Sequence, residues 1–99
     1  MQDATTMDGF AEWAAERRVP LGTAPRGFSG HIDAVNSADN ASGLAAAEIE
    51  RRLIELGFVE GARVEILHEG LIGRDPIAVR INDATVALRR REAMAILVS

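Results

Sequence analysis

The sequence predicts a small, mostly antiparallel β-barrel with one inserted α-helix. Three observations point there. Ala46, Ile49, Leu53 and Leu56 recur at steps of three and four, an apolar helical stripe, while Glu48, Glu50, Arg51, Arg52 and Glu55 fill the other face. Downstream the period falls to two, over Ala62, Val64 and Ile66 and again over Ile77, Val79 and Ile81. Large aromatics are few (Phe10, Trp13, Phe28 and Phe58), which leaves a core of Val, Ile and Leu, as in small barrels.

The chain has 99 residues, enough for one core and too few for two. Its formal net charge of -4 argues against nucleic acid, because a phosphate backbone calls for a basic face. There is no cysteine, hence no disulfide framework and no thiolate metal site, which fits a reducing, cytoplasmic setting. Met1-Gln2-Asp3-Ala4 does not open a signal peptide, and the apolar run 94–98 is far too short to span a bilayer. The expectation is a soluble domain that meets a membrane only indirectly.

Residues 1–18 form an N-terminal arm, with Phe10, Trp13, Ala14 and Arg17 at helical spacing. A short helix starting near Thr6 or Asp8 fits; helices this short are weak in water, so it docks or frays, either as an arm packed loosely on its own domain or as an anchor for a partner. Residues 19–25 hold Pro20, Gly22 and Pro25 and read as a connector with a short extended piece around Leu21. Residues 27–36 read as a strand in which Phe28, Gly30, Ile32 and Ala34 alternate imperfectly with Ser29, His31, Asp33 and Val35.

Residues 36–43 are a polar loop, with Ser42 the preferred N-cap of the central helix and Asn40 next. Gly57 stops that helix in a left-handed conformation, and Phe58 packs back on Leu53 in a Schellman cap. Gly61 turns the chain into a strand over 62–67. Residues 68–76 are a loop bounded by glycines and closed by Pro76, with Leu71 and Ile72 inside it. Strand 77–81, a two-residue turn at Asn82-Asp83 and strand 84–88 make a hairpin. A single helical turn over 89–93 and a last strand over 94–98 complete about five strands. Closing such a set removes exposed edges, as in SH3-like barrels. Two regions result: the arm, 1–18, and the barrel, 19–99.

Arg52-Leu53-Ile54-Glu55-Leu56-Gly57-Phe58-Val59-Glu60-Gly61 resembles the "LxxLG-hydrophobic-x-P-G" signature of the FeoA family, small proteins associated with bacterial ferrous iron transport. Val64-Glu65-Ile66, Asp75-Pro76-Ile77, Val86-Ala87-Leu88-Arg89 with Glu92-Ala93, and Ile96-Leu97-Val98 resemble its later segments in order. Leu21, Gly27 and Ile32 fit its opening. The departures are Glu60, where proline is usual, and the arm. The resemblance implies an SH3-like barrel with no enzymatic chemistry. It also implies a partner, a FeoB-type ferrous iron permease, met at its cytosolic GTPase portion. The same domain type occurs at the C-terminus of metal-dependent repressors, so a regulatory interaction domain is the alternative.

The residues themselves offer little catalytic or metal chemistry. His31 and His68 are the only histidines, and neither stands in a paired ligand motif, although Glu65, Glu69 and Asp75 lie near His68. No cofactor and no tight metal site are expected, only a weak ferrous contact at most. The serines sit in polar loops without a nucleophile elbow, and Gly70-Leu71-Ile72-Gly73 leads into a proline and a strand, so it cradles no nucleotide. Arg89-Arg90-Arg91 either reaches a phosphate or an acidic partner or is a solvated turn. Leu71 and Ile72 either close the barrel end or mark a contact surface. Together with Arg74, Phe10 and Trp13 they are the candidate partner-binding residues of a protein-interaction module, and the chain allows a homo-oligomer.

Overall fold

A computed structural model describes residues 18–36 and 43–99. The elements are β1 (Val19–Pro20), a 3₁₀ turn (Leu21–Thr23), β2 (Ser29–Val35), α1 (Gly43–Glu55), β3 (Arg63–Glu69), β4 (Ile77–Ile81), β5 (Ala84–Leu88), α2 (Arg90–Ala93) and β6 (Ile96–Val98). The strands form one six-stranded sheet in the order β1-β6-β2-β3-β4-β5, each neighbouring pair antiparallel.

Strand β2 serves two partners. Ser29, Gly30 and His31 pair with β3, whereas Ile32, Ala34 and Val35 pair with β6 across an irregularity that leaves Asp33 unmatched. The bulge accounts for the imperfect alternation of this stretch and bends the strand between the two halves of the sheet. One core results: Phe28, Ile32, Leu53, Phe58, Val64, Ile66, Ile77, Val79, Ile81, Leu88, Ile96 and Val98 are all buried.

The helix ends as its sequence requires. The Gly57 N–H donates to the Ile54 carbonyl at 3.0 Å and the Phe58 N–H to the Leu53 carbonyl at 3.0 Å, the two bonds of a Schellman cap. Gly57 stands at φ 107°, and the cap carries Phe58 into the core beside Leu53. The next turn forms with Glu60 in the place of proline: the Ala62 N–H reaches the Val59 carbonyl at 3.0 Å. The Gly61 N–H then reaches the Ile32 carbonyl at 2.7 Å and ties the turn to β2.

Several boundaries differ from the sequence reading. The extended piece near the start is Val19–Pro20, paired with Val98 and Leu97, and Leu21 belongs to the 3₁₀ turn, so the described residues hold six strands rather than five. Two residues are too few to show a period. β3 continues through His68 and Glu69, because its pairing with β4 resumes after an irregularity between Ile66 and His68. β6 starts only at Ile96; Met94 and Ala95 are held in the preceding turn by bonds to the Arg90 and Glu92 carbonyls. Leu56 lies beyond the last helical residue and is exposed. At the hairpin, Asn82 takes φ 56°. The arm with Phe10 and Trp13, and the caps Ser42 and Asn40, lie outside the described residues.

Candidate functional site

Between β3 and β4 the chain makes an excursion over residues 70–76. Its neck is closed by the Gly70 N–H bonded to the Pro76 carbonyl at 2.9 Å. Gly70 is required there, since a Cβ would run into the Asp75 carbonyl. The Asp75–Pro76 peptide is cis. At the far side Gly73 and Arg74 stand at φ 68° and 59°, which reverses the chain within two residues. The tip between these constraints is Leu71-Ile72, with relative exposures of 101% and 89%. Neither side chain closes the barrel. Two adjacent aliphatic side chains therefore stand in water at the tip of the loop.

Arg90, at the first position of α2, holds the neck. Its Nε donates to the Arg74 carbonyl at 2.8 Å, and its backbone N–H donates to Asp75 Oδ1 at 2.9 Å. Nη1 donates to the Gly22 and Ala24 carbonyls at 3.1 and 2.7 Å, and Nη2 meets Glu69 Oε1 at 2.9 Å. One guanidinium thus joins the 3₁₀ turn, the end of β3 and the loop, using the planar fork that lysine lacks. Behind it, Glu92 accepts the Arg89 N–H at 3.0 Å and pairs with Arg52 of α1 at 2.7 Å.

The structure therefore brings Leu71, Ile72 and Arg74 together on one loop, with Arg74 exposed at its base. The arginine run divides. Arg90 is committed to the clasp, while Arg89 and Arg91 stay exposed and line a concavity with Asp75. His31 and His68 are exposed on β2 and β3. Among the described residues no group of three or more His, Asp or Glu could hold a metal ion, and no helix is long and apolar enough to cross a membrane. The residues that sequence reasoning missed are Arg90 and Glu69 as the supports of the loop. Their partners are mostly backbone carbonyls far away in sequence, which leave no periodic signal.

Comparison with known proteins bears on the fold and the family. The FeoA domain profile matches residues 19–99. A FeoA from Stenotrophomonas maltophilia, solved with zinc and described as a prokaryotic SH3 domain, is 33% identical. It superposes at a TM-score of 0.66 over 80% of this chain and 87% of that one. A FeoA protein from Chlorobium tepidum is 32% identical, with a TM-score of 0.63 over 81% of this chain and 68% of that one. A manganese-dependent transcriptional repressor, 23% identical, gives 0.66 over 82% of this chain and 40% of that one, a likeness of fold alone. A search of curated proteins gave no match. The fold is an SH3-like small barrel, and with the profile covering far more than half of its length, this chain belongs to the FeoA family.

Proposed function

We propose that the protein is a non-enzymatic, cytoplasmic accessory of bacterial ferrous iron uptake. It contacts the cytosolic GTPase portion of a FeoB-type permease and modulates it without catalysing a reaction. The observation that carries this reading is the pair Leu71 and Ile72, fully exposed on a loop whose neck is fixed by Arg90. A preorganised tip loses little conformational freedom on docking, so most of its apolar burial appears as affinity. Arg74 supplies the polar rim of the contact, and Phe10 and Trp13 of the arm a second apolar contribution. Membership of the FeoA family supports the link to iron, as does the role of ferrous iron transport activating factor suggested for the Stenotrophomonas protein. Iron itself is the permease's cargo in this reading, and the domain touches it weakly if at all.

The test is capture of the permease's GTPase domain by the full chain and by Leu71→Ser/Ile72→Ser. The double variant should bind at least about tenfold more weakly, as hot-spot residues do, with an unchanged melting temperature. Undiminished capture removes the loop from the interface. If the wild-type chain engages a metal-dependent repressor and no permease, the domain acts in regulation, the reading favoured by the shared fold of the manganese-dependent repressor.

A further inference from the structure

We propose that β5 is a homodimer interface, pairing antiparallel with β5 of a second copy about a two-fold axis at Val86. The inference starts from which backbone groups the hairpin leaves over. The two-residue turn Asn82-Asp83 makes Ile81 and Ala84 the closing hydrogen-bonded pair. Bonded and non-bonded pairs alternate from there, so Val86 and Leu88 also spend their N–H and C=O on β4. Thr85 and Ala87 direct theirs the other way. β5 is an edge of the sheet, and among the described residues no backbone bond reaches Thr85 or Ala87 from that side.

The two edges of this sheet are unlike. β1 is two residues long and contains Pro20, a blunted edge that cannot template a new strand. β5 has five residues, Ala84, Thr85, Val86, Ala87 and Leu88, with continuous register, no charge and no proline. None of the devices that keep edge strands apart is present in it.

The sequence of β5 is complementary to itself in one register. Centred on Val86, Thr85 of each copy faces Ala87 of the other, so every outward N–H and C=O finds a partner. The two Val86 side chains then meet in a close non-hydrogen-bonded pair, with Cα atoms about 4.5 Å apart. Continuing outward, Asp83 of one copy falls opposite Arg89 of the second, and this happens twice. Both residues are exposed. Opposite charges close both ends of an uncharged strand, and the arrangement commits to a second copy rather than to an arbitrary peptide.

The experiment uses the full chain. Sedimentation over a concentration series should show a reversible monomer–dimer equilibrium. Ala87→Pro removes only an outward N–H, the position at which an edge strand tolerates proline, and should raise the dimer dissociation constant at least about tenfold. Asp83→Arg and Arg89→Asp should each weaken the dimer, and the double swap should restore it. Amide exchange supplies a readout independent of the variants: Thr85 and Ala87 should gain protection as concentration rises, while Val86 is protected throughout. A monomer at all concentrations, with fast exchange at Thr85 and Ala87, overturns the proposal. So does a dimer that Ala87→Pro leaves intact, which would place the contact elsewhere. Protection at Thr85 and Ala87 that ignores concentration overturns it too, since another segment of the same chain would then cover the edge.

Discussion

Arg90 Nη2 lies 2.9 Å from Glu69 Oε1, an ion pair between residues 21 apart in sequence that closes the base of the exposed loop. Their side chains are 19% and 27% exposed, so the pair is mostly withdrawn from water and is supported by three further guanidinium bonds to backbone carbonyls. Arg90→Met should therefore destabilise the fold by about 2–3 kcal/mol, because Glu69 and the Gly22 and Ala24 carbonyls lose their donor. Arg90→Lys should recover only part of that. Arg52→Ala is the contrasting case: with the Arg52 side chain 57% exposed in its pair with Glu92, the loss should stay below about 1 kcal/mol. Urea denaturation of the three variants checks the order; an Arg90→Met midpoint equal to that of Arg52→Ala would show that the clasp is not what holds the base.

Leu53 is 1% exposed and lies under the Schellman cap, joining the helix to the barrel core. Leu53→Ala should cost about 2–5 kcal/mol, the range for a buried leucine whose cavity does not collapse. Against a total stability of roughly 5–15 kcal/mol this is a severe loss, visible as a large fall in denaturation midpoint. An unchanged midpoint would mean that the helix does not pack through this residue.

A methyl group at Gly57 would find Asn82 Nδ2 at 3.4 Å and Ile81 Cγ1 at 3.5 Å, ordinary contact distances. Space is available, so the cost of Gly57→Ala lies in the backbone, at φ 107°. It should amount to about 1 kcal/mol or more. Gly61 also stands at positive φ, 89°, with nothing near a Cβ, so Gly61→Ala should behave alike. Thermal melts of both variants test this; a Gly57→Ala protein as stable as the parent would show that the cap relaxes out of the left-handed region.

What could be read from sequence was what repeats or stops. The stripe through Leu53, the Gly57 cap with Phe58 behind it, and the alternation over Ile77, Val79 and Ile81 each follow from a local rule. β1 could not be read, because pairing of Val19 with Val98 is decided by residues at the far end of the chain. The direction of Leu71 and Ile72 was equally open: two aliphatic residues between glycines can fold inward or stand out, and the neck at Gly70 and Arg90 decides it. Arg90 itself sits in a run of three arginines, where nothing distinguishes the one that faces inward.

The pairing of Val19 with Val98 also orders events in time. β3, β4 and β5 are successive and joined by the loop at 70–76 and a tight turn, so they can zip as a meander soon after they leave the ribosome. β6 is the sole sheet neighbour of β1 and the second neighbour of β2, and it follows all the other strands of the sheet in sequence. Until it emerges, β1 has nowhere to go and one side of β2 stays unpaired. Closure of the sheet therefore depends on contacts between residues up to about 80 positions apart: Ile96, Leu97 and Val98 have to insert between β1 and β2 before either strand is fully paired.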